Sequence, residues 1–222
     1  MPILYPYLPR ILHFICVPIL RVVFRIFSRV KVYGLQNLPN NREPLIFASN
    51  HASEVDSLLI GSFIPSRFRP LFYTAKSKRF YINTGWRQLI YGGLLFDIFG
   101  GYRVKSGFKN YGVALEKHIR VLKDGNSLSI FPEGKRTLDG KLGRPHGGVI
   151  YLAEKTGAKI VPVGISGAFG SSFKDFITGR SRFTITFGKP VTLIDLKAQS
   201  EKDYHSRAQR LMMLIAGLTS TV

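Results

Sequence analysis

The residues best suited to proton transfer lie in the segment Asn50-His51-Ala52-Ser53-Glu54-Val55-Asp56. A histidine can act as a general base near neutral pH, and a carboxylate bonded to its second ring nitrogen fixes the tautomer and favours the imidazolium. Five positions apart on one regular helix, His51 and Asp56 would not share a face, so His51 must lie in the turn before the helix, with Ser53 as the cap. The spacing Ser53-x-x-Asp56 is also typical of a helix-capping box, which would make Asp56 structural. These residues alone leave both readings open.

Two later segments combine glycines with basic residues. In Phe131-Pro132-Glu133-Gly134-Lys135-Arg136-Thr137, the proline ends a strand, Gly134 permits an unusual turn, and Arg136 can hold a phosphate in a bidentate fork. In residues 99–106, two glycines precede Arg103 and Lys105, which lie on the same side of an extended segment and also suit a phosphate. Each segment by itself could equally be a basic surface loop. A fourth segment, Ile160 to Ile165, reads as a buried strand containing Pro162.

Strand and helix patterns alternate after residue 34. The predicted strands are 44–49, 71–74, 128–131, 159–165 and 183–187, and the predicted helices are 57–63, one around 111–122 ended by Gly125, 148–155, and a last one capped by Ser200. Residues 85–96 are ambiguous. This alternation predicts an α/β fold with a largely parallel central sheet flanked by helices on both faces. The first segment follows a predicted strand end, where such folds place ligand chemistry, and residues 131–137 likewise follow a strand.

The first thirty residues differ from the rest. The stretch from Ile11 to Leu20 is almost entirely apolar, and Arg21, Arg25 and Arg29 recur every four residues, which would form one basic stripe on a helix. The apolar run is shorter than the ~20 residues of a normal span. We therefore expect residues 1–30 to form an amphipathic membrane-associating segment and residues 31–222 to form the catalytic domain. A tilted membrane span and a soluble core helix are the alternatives, whereas a signal peptide is not expected.

The charge of the chain is strongly positive, with 32 Lys plus Arg against 13 Asp plus Glu and a net charge of +19. Such a field favours an anionic partner such as a membrane surface or an acidic carrier protein. No recognised nucleic-acid module is apparent, so nucleic acid is not expected. The single cysteine, Cys16, excludes an intrachain disulfide and a cysteine-based metal site.

Taken in order, the four segments resemble the blocks of the glycerolipid acyltransferase family, specifically its bacterial 1-acylglycerol-3-phosphate acyltransferases. Residues 50–56 match that family's N-H-x4-D block, and residues 131–137 match its F-P-E-G-x-R-S/T block. Residues 99–105 resemble its second block, and residues 161–165 resemble its proline-bearing fourth block. The order and approximate spacing of the blocks agree as well.

The resemblance implies that His51 deprotonates the acceptor hydroxyl and that Asp56 orients His51. The hydroxyl would attack an acyl thioester carried by coenzyme A or acyl carrier protein, giving phosphatidic acid from the lysophospholipid. Neither a metal nor another cofactor would be needed. Glu133 and Gly134 would shape the acceptor site, and Pro162 would belong to the acyl or donor side. Arg103, Lys105 and Arg136 would hold the phosphate.

The chain departs from the family pattern at two positions. Residues 103–105 read Arg-Val-Lys where the family often has a bulky apolar residue and then Asp-Arg, and Lys135 stands where threonine is frequent. Another acceptor, such as glycerol 3-phosphate, another lysophospholipid or a glycolipid, therefore stays an alternative. A non-enzymatic basic membrane-binding protein is the alternative of another class. The expected location is the cytoplasmic face of the inner membrane.

Overall fold

The protein contains a seven-stranded sheet. This computed structural model describes residues 5, 7–75, 98–105, 110–171, 173–197 and 203–219. The strand order is β1-β7-β6-β2-β5-β3-β4. The strands are β1 (Lys31–Tyr33), β2 (Leu45–Ser49), β3 (Leu71–Ala75), β4 (Gly101–Arg103), β5 (Ser127–Ile130), β6 (Lys159–Ser166) and β7 (Thr184–Phe187). The ambiguous stretch 85–96 lies outside the described residues.

The sheet is mostly parallel. Strands β6, β2, β5, β3 and β4 all run the same way, whereas β7 pairs antiparallel with β6 and parallel with β1. Strand β2 occupies the centre, with Ile46 opposite Leu128 of β5 on one side and Ile160 of β6 on the other. The predicted α/β fold with a largely parallel sheet is therefore confirmed.

Helices cover both faces of the sheet. They are α1 (Tyr7–Ser28), α2 (Asp56–Phe63), α3 (Tyr111–Ala114), α4 (Glu116–Lys123), α5 (Gly148–Thr156), α6 (Phe173–Ile177) and α7 (Tyr204–Thr219). Ile46 and Ala48 of β2 face a core built with α3, α4, α5 and α7, while Leu45 and Phe47 face a second core built with α1 and α2. Alternate residues of a strand point to opposite faces, so one buried strand serves both cores.

Two helix predictions need correction. The helix expected around 111–122 is two helices, because the backbone at Leu115 leaves helical geometry between α3 and α4. The last helix is capped by Asp203, whose carboxylate accepts hydrogen bonds from the backbone N–H and the hydroxyl of Ser206. The expected cap, Ser200, lies outside the described residues.

Helix α1 presents two different faces. His13, Val17 and Phe24 are buried against the domain, whereas the opposite face leaves large apolar side chains exposed, namely Tyr7, Ile11, Phe14, Ile15, Ile19, Val22 and Ile26. By length and composition alone, α1 could also cross a membrane. The inner face, which packs on the domain, favours a helix lying along a surface.

The arginines of α1 do not form the continuous stripe that the sequence predicted. Arg21 turns inward and donates hydrogen bonds to the carbonyl oxygens of Ser62 and Ile64, at the end of α2. Arg29 follows the helix, which ends at Ser28. Among the three, Arg25 alone stays on the helix as an exposed residue, so the helix offers less basic surface than its sequence suggests.

Candidate active site

The candidate catalytic residues lie where two neighbouring parallel strands end. His51 follows β2 and precedes α2, while residues 131–137 follow β5, the strand paired with β2. The carboxyl ends of parallel strands share one edge of the sheet. Two segments about eighty residues apart in sequence therefore meet at one place.

His51 and Asp56 are in direct contact. The Nδ1 atom of His51 lies 2.9 Å from Oδ2 of Asp56, whose side chain is completely buried. Because a carboxylate only accepts, Nδ1 must donate in this bond, and in the neutral imidazole the lone pair is then on Nε2. The His51 side chain is 21% exposed, so substrate can reach it. The arrangement suits a base that takes a proton at Nε2.

The carboxylate of Asp56 is fixed by the turn that precedes α2. Its Oδ2 also accepts the backbone N–H groups of Ala52 and Ser53, both at 2.8 Å, and Oδ1 accepts the hydroxyl of Ser53. Four donors therefore hold one buried acid, which locks the direction it offers to His51.

The predicted capping role of Ser53 is only half realised. Helix α2 begins at Asp56 with Val55 at the cap position, and no side chain caps it. The Ser53 hydroxyl donates to Asp56 instead of accepting from the helix backbone, although Asp56 does accept the Ser53 N–H, as in a capping box. This turn is therefore compatible with both roles that the sequence left open for Asp56, a structural role at the start of α2 and a partnership with His51.

Glu133 joins the two segments. Its Oε1 accepts the backbone N–H of His51 at 2.9 Å, and its Oε2 accepts the backbone N–H of Gly143 at 2.6 Å. The carbonyl oxygen of His51 in turn accepts the N–H of Thr137 at 2.9 Å. Both backbone groups of the histidine are therefore held by the second segment, and Glu133 is buried in doing so. Its predicted share in an acceptor site stays a prediction.

Two further contacts hold His51 and the residue before it. The ring of Phe131 stacks on the imidazole of His51, with centroids 4.0 Å apart and planes 12° apart. Asn50 reaches across to β6, where its side-chain amide donates to the carbonyl oxygen of Ile165 and accepts the N–H of the same residue. Sequence reasoning gave Asn50 no role. The only feature of the sequence that could have indicated a role is its position directly after a buried strand. Its partner, Ile165, is distant in the chain, so the contact itself could not be predicted.

Gly134 allows the sharp turn after Glu133. Its φ is +66°, a region that residues with a side chain rarely adopt. A β-carbon there would also lie 3.1 Å from the ring of His146. The glycine is therefore needed for the course of the loop, and any contact with an acceptor stays a prediction.

The basic residues predicted to hold a phosphate lie in two places. The guanidinium of Arg136 lies 3.0 Å from the carboxylate of Glu54, which belongs to the segment of His51. Arg103 ends β4, and the Nζ of Lys105 lies 3.0 Å from Glu116. Three strand spacings separate β4 from β2, which is roughly 14 Å. The structure therefore brings Arg136 to Glu54, in the segment of His51, and leaves Arg103 and Lys105 at the far strand.

Pro162 and Ser166 lie in β6, the strand that Asn50 contacts at Ile165. Pro162 is buried, and its carbonyl oxygen accepts the N–H of Gly188, just beyond the end of β7. In an extended strand the nitrogen of Pro162 points to the same side, where β7 has ended and no donor is required. The hydroxyl of Ser166, the last residue of β6, donates to the carbonyl oxygen of Thr219. Within the described residues, no group of three or more potential metal ligands is found.

Comparison with known proteins gives a consistent picture. A family model described as Acyltransferase matches residues 29–166. The chain is 30% identical over 163 residues to the 1-acyl-sn-glycerol-3-phosphate acyltransferase LPAT1 of Arabidopsis thaliana chloroplasts, which covers 73% of this chain and 43% of that protein. It is 27% identical over 191 residues to the 1-acyl-sn-glycerol-3-phosphate acyltransferase of Bacillus subtilis, covering 85% of this chain and 86% of the relative.

A solved structure has the same fold. The 1-acyl-sn-glycerophosphate acyltransferase PlsC of Thermotoga maritima matches with a TM-score of 0.63 and 21% identity, covering 93% of this chain and 79% of that one. The chain spans less than half the length of the plant relative, at 43%, but most of the length of the Bacillus and Thermotoga proteins, at 86% and 79%.

Proposed function

Because the chain belongs to the acyltransferase family, we propose that it transfers a fatty-acyl group from a thioester to the free hydroxyl of 1-acylglycerol 3-phosphate, giving phosphatidic acid. The observation that carries the proposal is the bond between His51 Nδ1 and the buried Asp56, which leaves Nε2 as the base. The names of the relatives in plants and bacteria support the acceptor.

This geometry supports a reaction through a tetrahedral intermediate. Nε2 of His51 takes the proton of the acceptor hydroxyl as its oxygen attacks the thioester carbonyl carbon. The new carbon–oxygen bond forms, the carbon–sulfur bond of the tetrahedral intermediate breaks, and the leaving sulfur takes the proton back from Nε2. Asp56 stabilises the imidazolium between these steps, and because its oxygens are fixed by four donors, it need not reorganise.

Arg136 is the best placed of the three predicted phosphate ligands. In this structure the guanidinium of Arg136 forms an ion pair with Glu54, which lies three positions after His51. We infer that a dianionic phosphate replaces Glu54, because a bidentate arginine–phosphate contact is stronger than a half-exposed ion pair. Arg103 and Lys105 lie farther along the same edge of the sheet. They would contact only a part of the acceptor that extends away from His51 as far as β4.

The outer face of α1 supports attachment to a membrane. We propose that α1 lies in the interface of the inner membrane on its cytoplasmic side, with its exposed apolar face toward the lipid. Removing residues 1–30 is a poor test, since it also takes Val17 and Phe24 from the core. Substitution on the outer face separates membrane binding from folding.

The decisive experiment is an assay of the purified protein with defined acceptors and donors. Lysophosphatidic acid, glycerol 3-phosphate, a neutral lysophospholipid and a glycolipid would each be offered with acyl-CoA and with acyl carrier protein. We expect turnover with lysophosphatidic acid, loss of turnover in His51→Ala, and little change in the control His205→Ala. A higher acceptor KM in Arg136→Ala would support the phosphate contact, and an unchanged KM would exclude it.

The same assay tests the alternative of a non-enzymatic membrane-binding protein. If no donor and acceptor pair gave product while the protein bound anionic vesicles normally, the chemistry proposed for His51 would be wrong. Turnover lost in His51→Ala, with normal folding and vesicle binding, would exclude the binding-only alternative.

A further inference from the structure

The loop formed by residues 134–146 combines basic side chains with an unusually exposed leucine. Leu138 is 92% exposed, the largest value among the exposed apolar side chains of the described residues. The loop carries Lys135, Arg136, Lys141 and Arg144 against a single acid, Asp139. A lone exposed leucine is ordinary on a protein surface, so its meaning depends on its surroundings.

The loop is fixed relative to the catalytic base. Glu133, at its start, bonds to the backbone of both His51 and Gly143, and Thr137 N–H bonds to the carbonyl of His51. Leu138 is the next residue after Thr137. Whatever surface receives Leu138 therefore lies beside the site where the acceptor hydroxyl must be bound.

A chain of contacts joins this loop to α1. A β-carbon on Gly140 would lie 3.0 Å from the ring of Phe169, which is itself partly exposed. Phe169 leads into α6, where the ring of Phe176 lies 5.9 Å from Phe24 and 5.8 Å from Phe27 of α1. The contacts therefore run from Phe24, which is 3% exposed on the inner side of α1, through Phe176 and the exposed Phe169 to the loop, and they fix the loop relative to α1.

We propose that the loop 134–146 is a second membrane contact, in which Leu138 enters the bilayer surface and the exposed Lys135 and Lys141 bind anionic headgroups. The charge of the loop is complementary to such a surface, and its exposed apolar tip belongs to the same packed unit as α1, whose outer face is also exposed and apolar. Under the proposed function, this contact presents His51 to a lysolipid whose hydroxyl lies at the same interface. An acidic carrier protein would account for the charge of the loop, whereas a membrane also accounts for the exposed apolar face of α1.

The test uses a fluorescent probe at the loop and a matched control. In a Cys16→Ala background, Leu138→Cys and Ile194→Cys each receive one environment-sensitive label. Ile194 is 76% exposed, and it follows Val191, which pairs with Ile160 at the opposite edge of the sheet. Vesicles of phosphatidylcholine with phosphatidylglycerol should shift the emission of the label at 138 to the blue and leave that at 194 unchanged. Equal responses, or none at 138, would overturn the proposal.

A second measurement uses unlabelled protein. Leu138→Ala should lower the partition coefficient for these vesicles roughly tenfold, since most of a leucine side chain is lost from lipid. Ile194→Ala should not change it. A label at 138 that responds to acidic carrier protein but not to vesicles would refute the membrane contact. Activity of Leu138→Ala on a water-soluble short-chain lysolipid should persist, so failure of this proposal is separate from failure of the proposed function.

Discussion

Replacement of Asp56 by asparagine tests the charge of the buried acid without removing its shape. The amide oxygen can keep the three N–H donors that now reach Oδ2, and the Ser53 hydroxyl can rotate to accept from the new amide N–H₂. The tautomer of His51 is therefore preserved. What is lost is the negative charge beside the imidazolium, so we expect turnover to fall while the fold remains.

The size of the loss follows from the distance. At an effective dielectric constant of about 20, opposite charges about 4 Å apart attract by about 4 kcal/mol, and an amide dipole keeps part of this. A loss of about 2–4 kcal/mol in the transition state corresponds to roughly 30-fold to 1000-fold in kcat. Because the substrate need not touch Asp56, the acceptor KM should change little.

The assay compares kcat and the melting temperature of Asp56→Asn with those of Asp203→Asn. Asp203 is a matched control, because it also accepts the N–H and hydroxyl of a serine at the start of a helix. Asp203→Asn should leave kcat unchanged. Near-normal turnover by a folded Asp56→Asn protein would refute the role of the carboxylate charge. A large fall in melting temperature would instead show that the acid acts chiefly in folding.

Three other substitutions separate structure from chemistry. In Glu133→Gln, the backbone N–H of either His51 or Gly143 would face an amide N–H₂ and lose its acceptor. The free energy of unfolding, measured with denaturant, should therefore fall by about 2–3 kcal/mol, and kcat should fall as well. Unchanged stability would contradict the role of Glu133 in joining the two segments. Burial lowers the pKa of His118 from 6.5 to about 4, so the folded state binds fewer protons, and stability should be full above pH 6.5 and fall by about 3 kcal/mol toward pH 4. In His118→Gln, the melting temperature measured between pH 6.5 and pH 4 should depend less on pH. An unchanged dependence would show that other groups cause the loss of stability in acid. Phe14, which is 82% exposed, can be changed to Asp, and this should weaken binding to anionic vesicles without shifting the melting temperature; equal binding would argue against α1 as a lipid contact.

Local features were readable from the sequence because their causes are local. The apolar strands gave the α/β class, and the turn before α2 brought His51 and Asp56 together within six residues. Gly125, predicted to end a helix, does so with a φ of +78°. By contrast, the break at Leu115 and the capping of α7 by Asp203 were missed, since several polar or apolar residues near a helix end compete on similar terms.

The sequence by itself determined the pair of residues suited to proton transfer, the fold class and the apolar character of α1. Only the tertiary structure decided how His51 is held, because Glu133, Phe131 and Asn50 meet their partners across strands far apart in the chain. The strand order also places Arg136 far from β4. Arg21, which the sequence predicted on the surface, instead donates hydrogen bonds to the carbonyl oxygens at the end of α2. Spacing along a chain fixes neighbours within a turn or two, whereas strand order sets the distances between segments.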